Sequence, residues 1–178
     1  MPKEIPAPAY TNPRGIPQAP FLESVGDYAS DEADATLLLR NLQERLQKYQ
    51  FMELTTTSRI RGLLDKIPDM RKSLEMVKFL AERKDAFDTR YELNDTVYAE
   101  ATVPPTDKVF LWLGANVMLE YNIPEAEELL KSKLDGAMSS VDQCKEDLEF
   151  LRENITTMEV NTARVINWQV EQRKLAAK

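Results

Sequence analysis

Catalysis needs nucleophiles, bases or metal ligands at close spacing, and this sequence offers few. Cysteine occurs once, at Cys144, and histidine not at all. Counting alone therefore excludes disulfides, His or Cys/His metal sites and every histidine-based triad. Five glycines form no phosphate-cradling loop, and the acidic residues fall mostly on the polar faces of helical patterns. The expectation is a protein that is not an enzyme and uses no cofactor or metal. Cys144 itself falls on an apolar seam, where a small packed side chain is the ordinary role.

What the residue types can do is associate. The stretch VPPTDKVFLWLGANVMLEY, residues 103–121, is apolar at nearly every second position and often at adjacent ones. Alternation puts Val109, Leu111 and Leu113 on one face of a strand and Phe110 and Trp112 on the other. A strand with two apolar faces must be covered twice. The net charge of -7 argues against a nucleic-acid surface, which needs clustered Lys and Arg. The longest apolar run, VFLWLGANVML, has 11 residues, well short of the roughly 20 that span a bilayer. No charged-then-apolar leader pattern opens the sequence. These features predict a cytoplasmic protein, with the nucleus as a second compartment, and no membrane or nucleic-acid partner.

Long helical patterns flank the strand-like stretch. From about Asp31 to Asp88 a seam runs through Leu39, Leu42, Leu46, Tyr49, Ile60, Leu63, Ile67, Met70, Leu74, Val77 and Ala81, alternating steps of three and four, with Glu53 and Thr56 as exceptions. A second seam, in a helix predicted over about 123–175, runs through Leu130, Leu134, Ala137, Val141, Cys144, Leu148, Leu151, Ile155, Met158 and Val165, broken at Thr162 and Gln169. That spacing is a heptad pattern. Asn122, Pro124 and Glu125 supply a helix start. Each helix would be on the order of 75 to 85 Å long, so the simplest arrangement is an antiparallel coiled-coil hairpin. Closing it between Asp88 and Asn122 makes facing residue numbers add to roughly 210 by helix geometry, which sets Pro68 near Cys144. Proline inside a helix removes a hydrogen bond and bends it; a passive kink and a hinge are both open readings.

Between the helices four short strands fit, near 91–93, 97–103, 108–113 and 117–121, separated by the turn compositions Asn94-Asp95, Pro104-Pro105-Thr106-Asp107 and Gly114-Ala115-Asn116. The fold class is thus mainly α with a small β part: a coiled-coil hairpin with two β-hairpins inserted, over 30–178. Isolated hairpins are marginal in water and their open edges invite pairing. Val97, Val103, Val109, Phe110, Leu111, Trp112, Leu113, Val117 and Leu119 are therefore the predicted assembly residues. Residues 1–29 hold six of the ten prolines, which disfavours helix and strand. A flexible arm is expected there, the alternative being a segment that docks on a partner through Ile16 and Phe21.

The stretches TNPRGIP, YELNDTVYAEATVPPTDKVFLWLGANVMLEY and EDLEFLRENITTMEVNTARVINW together resemble the α-type subunits of the prefoldin family. The resemblance covers nearly the whole chain and implies two hairpins per subunit. It also implies a hexamer with one further α-type and four β-type subunits, joined in a double β-barrel from which coiled-coil tentacles hang. It further implies capture of unfolded actin and tubulin without ATP and delivery to the cytosolic chaperonin.

For such work the free end of the coiled coil is the place to look. Leu37, Leu38 and Leu39 are consecutive, and at 100° per residue they cannot all face the partner helix. Ile166, Trp168 and Val170 lie off the strict seam near the same end. These six are the predicted client-binding tip, against the plainer reading that they pack locally. A structural tether assembled through its hairpins would fit the same physics.

Overall fold

A computed structural model describes residues 6–176. The element order is helix α1 (Glu32–Glu82), strands β1 (Phe87–Asn94), β2 (Val97–Val103), β3 (Lys108–Gly114) and β4 (Val117–Asn122), then helix α2 (Ile123–Ala176), with a single 3-10 turn at Val25–Asp27 ahead of them. Two compact units divide the chain. One combines the chain up to Gly62 with the chain from Val141 onward; the other is Leu63–Ser140.

In the first unit α1 opens with a reciprocal cap. The Asp34 amide donates to the Asp31 carboxylate at 2.8 Å, and the Asp34 carboxylate accepts from the Ser30 amide at 3.2 Å, satisfying donors that the helix itself cannot. The beginning of α1 runs antiparallel to the end of α2. Arg152 donates to Glu53 at 3.1 Å, Gln169 to Thr36 at 3.3 Å and Arg173 to Glu32 at 2.7 Å. Each of these pairs has residue numbers adding to 205. The coiled-coil seam lies between: Leu42, Tyr49, Leu151, Met158 and Val165 are buried.

The proline-rich arm departs from expectation. Its described residues carry no α-helix or long strand apart from the 3-10 turn at Val25–Asp27, as the prolines require, but they are not left loose. Ala19, Leu22, Val25 and Ala29 are buried in one apolar cluster with Ala35, Leu38, Leu42, Leu151, Met158 and Val165, and half-buried Ile16 and Tyr28 pack against it. The arm docks on its own coiled coil, and it is Leu22 that reaches the core, whereas Phe21 is exposed and stacks under the Arg164 guanidinium. The expectation of flexibility overlooked that a two-helix pair leaves a groove which an extended segment can fill. Its first five residues lie outside the described part.

In the second unit Lys78 and Glu127 pair across the two helices at 3.7 Å, again with numbers adding to 205. That register sets Pro68 opposite Ala137 and not near Cys144, because α1 ends at Glu82, six residues before the predicted Asp88. Residues freed from the helix extend β1, which starts at Phe87 instead of Tyr91. Phe87 is held there by an edge-to-face contact with Phe79, and Arg83 lies over both rings. Ala81, assigned to the seam, is exposed, and half-buried Leu80 packs at this end instead.

The four strands make two separate two-stranded antiparallel sheets, β1 with β2 and β3 with β4. Phe87 pairs with Val103 and Tyr91 with Ala99 in one; Lys108 pairs with Asn122 and Leu111 with Leu119 in the other. The β3–β4 turn places Ala115 (φ 49°) and Asn116 (φ 58°) in the left-handed region, the conformation a two-residue hairpin loop with matching twist demands. Helix α2 follows β4 directly, its Ile123 amide donating to the Asp107 carbonyl at 2.9 Å and its first turn bridged by Asn122 and Glu125.

Candidate functional site

The β3–β4 hairpin has two unlike faces. Val109 and Leu111 turn toward Val77, Ile123 and Ala126 and are half-buried there with Leu80, Tyr121 and Leu130. The opposite face is bare: Phe110 is 64% exposed and Trp112 60%. Leu113 and Val103 are half-buried, whereas Val97, Val117 and Leu119 are exposed. Of the nine predicted assembly residues, five thus stand open and four are turned partly inward. Tyr91, Leu93, Tyr98 and Met118 join the exposed apolar set, although the sequence reading did not single them out. At the hairpin's base Lys108 donates to Glu120 at 2.6 Å, and that hydrogen bond raises the ammonium pKa, fixing the register at the strand ends.

The predicted tip residues divide differently. Leu37 is 57% exposed, and Ile166 and Val170 are exposed as well. Leu38 is not: at 5% it belongs to the cluster closed by Leu22, Val25 and Ala29 of the arm. Leu39 and Trp168 are half-buried against the same cluster. The expectation that these three are offered to clients is therefore corrected, since the arm supplies a third apolar surface that helix periodicity alone does not reveal.

The arm is held by polar side chains that sequence reading missed. Asp147, Asn154 and Asn161 are buried at seven-residue spacing along α2, each one position before the seam. Asp147 accepts from the Asn12 amide group at 2.7 Å and from Arg14 Nε at 2.6 Å; Glu146 takes a second bond from Arg14. The bond to Asp147 is the main cause of a raised guanidinium pKa. Asn154 Oδ1 accepts from the Ala19 amide at 2.5 Å, and Asn161 Oδ1 accepts from the Leu22 amide at 3.0 Å while its Nδ2 donates to the Pro20 carbonyl at 2.7 Å. Tyr49 Oη donates to the Pro17 carbonyl at 2.9 Å, and burial pushes its pKa up. The arm begins with a tight turn in which Asn12 Oδ1 accepts from the Arg14 and Ile16 amides and Gly15 adopts φ 88°. The available signal was three short polar residues in strict heptad step beside a seam, where solvated positions have no reason to choose Asn or Asp.

Among the described residues no cluster of His, Cys, Asp or Glu could hold a metal, and no helix is long and apolar enough to cross a membrane. Cys144 is buried.

The family model described as "Prefoldin subunit" matches residues 49–168. The chain belongs to the prefoldin family. Prefoldin subunit 3 of Elsinoe fawcettii is 55% identical over 177 residues, covering 96% of this chain and 90% of that one. The probable prefoldin subunit 3 of Schizosaccharomyces pombe is 54% identical over 165 residues, 92% of this chain and 96% of that one. Human prefoldin subunit 3 is 46% identical over 164 residues, 89% of this chain and 83% of that one. In structure the chain is similar to filamentous prefoldin from Methanocaldococcus jannaschii, with a TM-score of 0.55 and 19% identity over 66% of this chain and 98% of that one. Two long helices with two β-hairpins between them are thus a prefoldin fold. The chain is a prefoldin co-chaperone subunit, and its partners are other prefoldin subunits.

Proposed function

We propose that the chain is one of two α-type members of a cytoplasmic hexamer that contains one further α-type and four β-type subunits. In this reading the hexamer holds unfolded actin- and tubulin-type clients at its coiled-coil ends without ATP and passes them to the cytosolic chaperonin. The observation that carries the reading is the division of exposed apolar surface. Phe110, Trp112 and Met118 stand exposed on one hairpin face, suited to completing a barrel with other subunits. Leu37, Ile166 and Val170 stand exposed where α1 begins and α2 ends. Scattered apolar side chains without a shaped pocket bind non-native chains with little sequence preference.

Changing Leu37 and Ile166 to Ser in the chain co-expressed with its partners tests the capture half. Native mass spectrometry should show the same six-subunit particle as the wild type. Light scattering should show weaker suppression of unfolded-actin aggregation, because each lost contact contributes up to about 1.5 to 3 kcal/mol before ordering costs and several arms grip together. Undiminished suppression by an intact particle would move client binding elsewhere, and a particle of one subunit type would favour a tether.

A further inference from the structure

Beyond the Asn12 and Arg14 side-chain anchors on Asp147, the arm is seated on α2 through groups that any extended chain carries. On the arm Asn154 and Asn161 bond only backbone, namely the Ala19 and Leu22 amides and the Pro20 carbonyl, while Asn154 Nδ2 donates to the Phe150 carbonyl of its own helix at 2.7 Å. Both asparagines are buried, at 3% and 0% exposure. In a two-helix coiled coil such positions would be solvated polar or packed apolar; here they are committed to an extended chain alongside.

The spacing is also general. Three residues of extended chain cover about 10 Å, and one heptad of helix rises about 10.5 Å. The step from Ala19 to Leu22 on the arm therefore matches the step from Asn154 to Asn161 on the helix. Proline at 17 and 20 removes donors that such a ladder would leave unmet and keeps the chain extended. Small or apolar side chains, Ala19, Leu22 and Val25, fill the groove above Leu38, Leu42, Leu151, Met158 and Val165. Further apolar space lined by Pro8, Pro17, Tyr49 and Met52 lies open beside the arm.

We infer that this groove is a binding site for extended polypeptide, occupied in cis by the chain's own residues 12–25 and open to proline- or alanine-interrupted apolar segments of non-native clients when the arm leaves. The inference rests on the capture reading above and adds to it a defined place and chemistry. The recognised groups are the amides and carbonyls of an unfolded chain, which every client carries, together with a few apolar side chains. A tethered occupant acts at an effective concentration on the order of millimolar. The arm therefore discriminates against weak or single contacts and yields to clients gripped by several subunits at once.

The test uses the complete prefoldin complex containing this chain. The probe is a fluorescein-labelled peptide of sequence YTNPRGIPQAPFLESV, residues 10–25, followed by anisotropy. Leu22→Asp in the chain should undock the arm and tighten peptide binding by about tenfold or more, because the groove is then free for a larger fraction of the time. Adding Asn161→Ala should cancel that gain. Excess unlabelled peptide should reduce suppression of unfolded-actin aggregation by the Leu22→Asp complex. Equal peptide affinity in wild-type and Leu22→Asp complexes, a gain that survives Asn161→Ala, or saturation by peptide with undiminished suppression would each overturn the inference. Should Leu22→Asp prevent assembly, Asn12→Ala with Arg14→Ala cuts the polar anchors while leaving the apolar contacts, and the same outcomes apply. A wild-type complex that suppresses no aggregation would instead sink the capture reading, while the peptide titration would still report on the groove.

Discussion

The two units meet one physical problem in opposite ways. A pair of helices with heptad seams cannot bury everything apolar it carries, and the surplus needs a cover. In the unit containing Leu42, Leu151 and Met158 the cover comes from the same chain, as an extended arm pinned by Asp147, Asn154 and Asn161. In the unit containing Val77 and Ala126 it comes from the β3–β4 hairpin, which packs Val109 and Leu111 inward but leaves Phe110 and Trp112 bare. One cover comes from within the chain, although Leu37, Phe51, Ile166 and Val170 of that unit stay exposed. The other transfers the exposed surface to the next layer, which other subunits must supply. Backbone-directed polar bonds mark the self-contained solution, and large aromatic side chains mark the one that recruits partners.

Changing Phe110 and Trp112 together to Ser should have the largest effect on assembly. The pair would bury on the order of 3 to 6 kcal/mol of transfer energy in a partner interface, yet neither packs on the helices. The helical circular dichroism should persist while the chain moves from the complex to free or aggregated fractions on a sizing column. Normal incorporation would erase the contrast between the two covers.

Leu22→Ala acts on the other side. Removing a fully buried leucine side chain costs about 2 to 5 kcal/mol, and here the cost falls on arm docking. Hydrogen exchange at the Ala19 and Leu22 amides should accelerate markedly, with the subunit still retained in the complex. Loss of the subunit would show that the arm, too, serves assembly.

The smallest effect is a pH dependence. Tyr49 is neutral when it donates to Pro17, and burial raises its pKa. Its share of docking is thus full below the ordinary tyrosine pKa of about 10 and is lost as pH rises through the higher folded value. Ultraviolet difference titration should find one tyrosine ionising late, and Tyr49→Phe should remove it. Simultaneous ionisation of every tyrosine would mean that the arm does not shield this hydroxyl.

Periodic features were legible in the sequence because periodicity is a local property. Leu42, Leu74, Val141 and Leu151 recur at heptad steps and are buried as that spacing requires. The strand alternation of Val109 and Leu111 against Phe110 and Trp112 survives intact. The end of α1 was read late because Lys84, Asp85 and Ala86 interrupt no helical pattern, and the aromatic contact that starts β1 spans Phe79 and Phe87 in space. The arm was opaque for a deeper reason. Its polar partners on α2 lie more than 130 positions away, it has no period of its own, and Leu38 looks surplus until Leu22 and Val25 are set above it. Sequence spacing identifies surfaces that repeat; a single extended segment lying on a repeat leaves its signature in the repeat, as the out-of-place asparagines.

The heptad spacing of Asn154 and Asn161 makes them two backbone-directed stops on one rail, with Asp147, which grips only the Asn12 and Arg14 side chains, one heptad before them. A segment that engages such a rail through its backbone can, on energetic grounds, shift by three of its own residues and find the next stop. The turn at Asn12–Ile16 breaks this degeneracy. Asn12 and Arg14 both grip Asp147, and Arg14 also reaches Glu146, so only one alignment seats the turn while its neighbours reach Asn154 and Asn161. Arg14 is thereby a positional index as well as an anchor. Without it the arm would still have every backbone bond available to it, yet would be divided among several alignments, losing definition before it loses affinity.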